Sequence, residues 1–110
     1  MIGRVGLRAR TDFDVVARDG QLVSRCRGIE VSSSGILIDR GRPVRSTDTR
    51  LLVDIELRLP ERLRGLRAKA RSVWTRGTQQ ALRFVAISDA DRLTLAEHID
   101  LQHLRGANIS

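Results

Sequence analysis

Between Leu51 and Leu59 the chain alternates: Leu51, Val53, Ile55, Leu57 and Leu59 fall between Leu52, Asp54, Glu56 and Arg58. Successive side chains of an extended strand point to opposite faces, so this spacing predicts one dry face and one wet face. Pro60 cannot donate to a ladder and ends the strand. The same period of two governs most of the chain. Leu66, Ala68, Ala70 and Ser72 alternate with Arg67, Lys69, Arg71 and Val73, which sends three cations to one side. After a turn at Gly77, Ala81 to Ile87 supply another strand, with Phe84 expected in the core. Upstream, strands from Asp12 to Ala17 and from Leu22 to Val31 meet at Arg18-Asp19-Gly20-Gln21, where Asp-Gly is a strong hairpin signal. A short strand from Gly35 to Asp39 follows Ser32-Ser33-Ser34-Gly35. The loop from Arg40 to Thr49 is polar, carries Gly41 and Pro43, and has no strand pattern.

Only the tail changes period. Ser88 or Asp89 caps a helix expected from about Ala90 to Leu104, and Gly106 stops it. Its apolar positions form two seams, Leu93 with Leu101 and Leu104, and Leu95 with Ile99. Core packing takes one; the other meets a second copy in a homodimer or lies across the barrel mouth. Six short antiparallel strands and one terminal helix predict a mainly β fold, a small six-stranded antiparallel β-barrel that is closed or nearly closed, because closure removes sheet edges.

A length of 110 residues suits one domain with one modest core. The expected division is an arginine-bearing arm over residues 1–10, the barrel over 11–87 and the helix over 88–105. No long apolar run spans a membrane and the start lacks the apolar stretch of a secretory signal, so a soluble, cytoplasmic protein is expected. Cys26 is the single cysteine and reads as a small buried filler. With His98 and His103 it falls short of a four-ligand metal site, so no metal or cofactor is expected. The histidines read as surface or interface residues. The net charge is +7, and of twenty basic residues only Lys69 is lysine. That excess favours an anionic partner such as a nucleotide, a nucleic acid or an acidic protein.

One segment bears chemistry. Arg25 to Ile38 reads as strand, tight polar turn and strand, and Arg4 and Arg8 precede it on the arm. Hydroxyl, carboxylate and guanidinium groups are thereby available to one anionic, base-bearing ligand. A guanidinium fork donates, a carboxylate accepts, and a serine hydroxyl donates or accepts.

These residues resemble the PilZ domain family along nearly the whole chain, from Arg4 to about Leu104. The family opens with R-x-x-x-R, here Arg4-Val5-Gly6-Leu7-Arg8, and later carries D/N-x-S-x-x-G, here Glu30-Val31-Ser32-Ser33-Ser34-Gly35. The later strands and the opening of the helix are similar as well. The resemblance implies binding of cyclic di-GMP, a bacterial second messenger, with Arg4 and Arg8 as clamps and Glu30, Ser32 and Gly35 framing the pocket. Guanine presents O6 and N7 as paired acceptors, which a guanidinium fork matches bidentately, its face stacks on a guanidinium plane, and a carboxylate accepts from its N1 and N2 donors. Glu30 departs from the family's Asp or Asn and carries its carboxylate ~1.5 Å further out. Either it reaches guanine through another rotamer, or the chain binds the nucleotide weakly or not at all.

Three functions follow as expectations. The first is a cyclic di-GMP receptor that signals by contacting an effector protein. The second is a PilZ-like adaptor, in pilus assembly or motility, that works through protein contact alone; Glu30 and the spare helix seam favour it. The third is a basic nucleic-acid-binding barrel, disfavoured by two Phe, one Trp and no Tyr, since aromatic platforms carry single-strand binding. No nucleophile–base pair, phosphate-binding loop or dinucleotide fingerprint is present, so an enzyme is not expected. The stripe of Arg67, Lys69 and Arg71 reads as a solvated face, and Trp74 as core or rim packing.

Overall fold

The computed structural model describes residues 8–44 and 51–106. Arg4 and the part of the polar loop from Arg45 to Thr49 lie outside the described residues. The elements are β1 (Arg8–Asp19), β2 (Leu22–Ser32), β3 (Gly35–Asp39), β4 (Leu52–Arg58), β5 (Leu66–Arg76), β6 (Gln79–Ile87) and α1 (Asp89–Leu104). All strand pairs are antiparallel, in the order β1-β2-β3-β6-β5-β4, and β4 returns to β1 through pairs such as Val15 with Leu57. The barrel is closed.

Alternation decides which side chains fill it. Val53, Ile55 and Leu57 of β4 point inward with Val15, Val31, Ile38 and Leu66, and all are buried. Their charged neighbours Asp54 and Arg58 face out. Tight loops join β1 to β2 and β5 to β6. In both, the first loop residue has positive φ, +66° at Gly20 and +60° at Gly77, where a side chain would be strained.

The two ends of the barrel are closed differently. At one end α1 lies across the opening with Leu95 and Ile99 buried, while Leu93 and Leu104 remain exposed. The Leu95 and Ile99 seam is thus the one the core takes. Ser88 is the N-cap, accepting from the Asp91 N–H at 3.1 Å, and Gly106 follows the last turn with φ +78°. At the other end a polar group fills the lumen. Gln80, 1% exposed, donates to Ser72 Oγ at 3.1 Å and accepts from Arg40 Nε at 2.8 Å, and Arg40 also reaches Asp19 at 2.9 Å. Each buried polar atom in that set has a partner, which removes most of its desolvation cost.

Three expectations need revision. His98 is not a surface residue; it is 1% exposed, between Leu95 and Ile99 on the inner face of α1. Its Nδ1 meets Glu61 at 2.5 Å, its Nε2 meets Thr11 Oγ1 at 3.2 Å, and its ring packs edge-on against Phe13. With both nitrogens satisfied, an imidazole is buried at little cost. Secondly, β1 begins at Arg8 rather than after residue 10. Ala9 is fully buried and continues the alternation, so Arg8, Ala9 and Arg10 join the ladder opposite Ser32, Val31 and Glu30. Phe84 is only partly buried and packs against the core from its margin.

No described helix is long and apolar enough to cross a membrane. Among the described residues no group of three or more His, Cys, Asp or Glu is placed to hold a metal ion.

Candidate functional site

The end of β2, the Ser32–Gly35 turn and the adjoining parts of β5 and β6 enclose an open groove of about 420 Å³ on the outside of the barrel. Its first wall holds Arg8, Glu30, Ser32, Ser34 and Gly35; its second holds Trp74 and Arg83. The four sequence-derived site residues that lie among the described residues therefore line one surface. Arg4 lies outside them.

Register explains the first wall. Arg8 is directly opposite Ser32 and diagonal to Glu30, within reach of a long side chain. Arg8 Nη1 meets Glu30 Oε1 at 2.9 Å, with the two side chains 53% and 22% exposed. The longer carboxylate of Glu30 thus engages the guanidinium of this chain itself. Ser32 is buried at 7% exposure, and its Oγ accepts the Ser34 N–H at 3.2 Å and lies 3.1 Å from Ser34 Oγ. This local bonding is what serine offers to a turn. It also leaves hydroxyl hydrogens whose direction can change when an acceptor enters.

Gly35 has a reason of its own. A Cβ there would sit 2.3 Å from the Leu82 carbonyl oxygen, so the absence of a side chain lets β3 lie against β6. The close approach that needs glycine is between strands. The Ser34 carbonyl accepts from the Phe84 N–H at 2.9 Å and anchors the turn to β6.

Across the groove, Trp74 is 42% exposed at the rim, with the Arg76 guanidinium 5.5 Å from its ring centroid. That contact is a cation–π pair on the open surface. Arg83 stands directly opposite Gly35 in the β3–β6 ladder. Ser34, Trp74 and Arg83 carried no site assignment from sequence. Ser34 lay inside the quoted turn, Trp74 was the single tryptophan, and Arg83 was one of many outward arginines; only barrel closure brings β6 beside β3.

A larger cleft, about 620 Å³, lies over β1, β4, β5 and the start of α1. It is less suited to an anion. Arg18, Arg67 and Lys69 there are balanced by Asp54, Glu56 and Asp91, and Lys69 is held by Asp54 at 2.9 Å. Asp91 also accepts from the Arg67 N–H at 3.3 Å. Elsewhere Arg27 is committed to Asp12 and Asp14 on the barrel surface, and its hydrogen bond to Asp12 pushes its pKa further up. Burial pushes the Cys26 thiol up, so it stays protonated as a core filler.

No family model and no curated protein matches the sequence. Solved structures match the fold. The Bacillus subtilis inhibitor of motility, MotI/DgrA, superposes with a TM-score of 0.79 at 18% identity over 96% of this chain and 53% of its own. The chain thus spans about half the length of that protein. The PilZ domain of CeSA from a cellulose-synthesizing bacterium gives 0.67 at 13% identity, covering 87% of this chain and 97% of that domain. PlzA of Borreliella burgdorferi, solved in complex with cyclic di-GMP, gives 0.66 at 9% identity over 87% of this chain and 40% of its own. Strand order, closure and the terminal helix agree with what the two sequence motifs imply, and the chain has a PilZ-like fold.

Proposed function

We propose that this domain is a cyclic di-GMP receptor that signals by contacting an effector protein, and that it performs no catalysis. The observation that carries the reading is the convergence of Arg8, Glu30, Ser32 and Ser34 on one open groove of a PilZ-like barrel. A fork of N–H donors, a carboxylate and two hydroxyls match the acceptor and donor edges of guanine. PlzA, which shares the fold, was solved with this nucleotide. Since β1 carries Arg8 and leads within three residues to Thr11, which touches His98 of α1, ligand capture is linked by short steps to the helix. The exposed seam of Leu93 and Leu104 on that helix is a surface for an effector or a second copy of the chain. The protein is assigned to the bacterial cytoplasm, where that messenger occurs.

Titration calorimetry with cyclic di-GMP tests the proposal. Heat in the wild type that disappears in Arg8→Ala supports it, and a silent wild type defeats it. A second reading, an adaptor that works by protein contact alone, is favoured by the Arg8–Glu30 ion pair, because a ligand must displace Glu30 to reach Arg8. Silence in the wild type and in both Glu30→Asp and Glu30→Gln supports the adaptor.

A further inference from the structure

The geometry points to Arg83 as the residue that takes up the ligand's phosphodiester charge, with Glu30 displacing Arg8 from that role; this rests on the nucleotide reading of the groove. Two independent observations lead there.

The first is the charge on each wall. Arg8 is already neutralised by Glu30 at 2.9 Å, so the first wall presents little net positive charge to an incoming anion. Arg83 lines the same groove, is exposed, and among the described residues has no carboxylate in ion-pair contact. Its Cα is the direct partner of Gly35, which places it beside the serine–glycine turn.

The second is a like-charge pair. Arg83 is directly opposite Arg71 in the β5–β6 ladder, so both guanidinium groups leave the same face of the sheet. Like charges in that position repel and destabilise a sheet. An anion between or beside them reverses the sign of the local energy, which is what an anion site looks like before its ligand arrives. Leu52 flanks Arg71 on the far side, so no acidic neighbour in that row of described partners compensates the pair.

The division of labour is therefore specific. Glu30 and Arg8 together present a donor and acceptor edge suited to a guanine base, while Arg83, supported by Arg71, meets the phosphodiester. A guanine ligand without the phosphate charge loses the second wall and keeps the first.

Binding of cyclic di-GMP to the full chain, followed by calorimetry and by the fluorescence of Trp74 at the groove rim, decides the matter. Arg83→Gln is expected to weaken binding about tenfold or more and to flatten its salt dependence, while Arg83→Lys retains most of the affinity. Glu30→Gln, which replaces the carboxylate that accepts from the guanine edge, is expected to weaken binding several-fold. Without ligand, Arg83→Gln melts at or above the wild-type temperature, because the repulsion with Arg71 is gone; this readout also shows that the variant folds. Wild-type binding with Arg83→Gln within twofold of it overturns the assignment of Arg83 and leaves the receptor reading intact. Unchanged or tighter binding by Glu30→Gln overturns the role given to Glu30. No binding by the wild type overturns the receptor reading, and this inference with it.

Discussion

Among the described residues, two of the base–glutamate pairs are of opposite character. His98 and Glu61 meet at 2.5 Å with the imidazole 1% exposed, whereas Arg8 and Glu30 meet at 2.9 Å with the guanidinium 53% exposed. The imidazole of the first pair is enclosed by α1, Thr11 and Phe13, so losing Glu61 leaves a buried ring nitrogen without a partner. The second faces water, which takes over either partner at small cost. A pair of the first kind holds a fold together; a pair of the second kind can be exchanged for a ligand. The contrast in solvent access of the two bases, rather than the contact distances, separates scaffold from site.

Substitution at each pair is the direct way to break this contrast. His98→Ala should cost about 3 kcal/mol in a denaturant titration, through the unfilled space under α1 and the lost ring contact with Phe13. If it costs no more than Glu30→Gln, the contrast fails. Gly35→Ala should follow at about 2 kcal/mol, because the new methyl group meets the Leu82 carbonyl and forces β3 from β6. A neutral effect on stability combined with lost nucleotide binding would instead give Gly35 a role toward ligand alone. Glu30→Gln should change stability by less than about 1 kcal/mol, as exposed ion pairs do, while changing nucleotide affinity.

The smallest effect is expected at Cys26 and sharpens the same point about burial. Its folded thiol lies above the ordinary value of 9.0 because burial disfavours the thiolate. Above pH 9.0 the unfolded chain releases that proton while the folded chain keeps it. Folded stability therefore falls as pH rises from 9.0 toward the folded value. Melts at pH 8 and pH 10 should show a slightly greater loss for the wild type than for Cys26→Ala; equal losses would mean that the thiol is not shielded.

Much of this was legible beforehand in particular residues. Alternation at Leu51–Leu59 and Leu66–Val73 foretold the strands, Gly20 and Gly77 the tight loops, and Ser88 and Gly106 the limits of α1. His98 was misjudged because a histidine between two apolar helix positions is buried only if distant groups satisfy it, and Glu61 and Thr11 lie 37 and 87 residues away. Gln80 and Ser72 escaped notice for a similar reason: a polar side chain inside a barrel depends on its partners, here each other and Arg40. Of the candidate site, the R-x-x-x-R and serine–glycine motifs marked the first wall. The second wall was hidden among nineteen arginines, twenty basic residues less Lys69, until β6 closed against β3.

Period, turn chemistry and capping act over a few residues, so the order and type of the elements were determined by the chain's local chemistry. Which charges stand alone, and which are already paired, depends on strands far apart in sequence. The Arg8–Glu30 contact and the Arg71–Arg83 juxtaposition exist only in the closed barrel, because electrostatic energy follows separation in space and access to water.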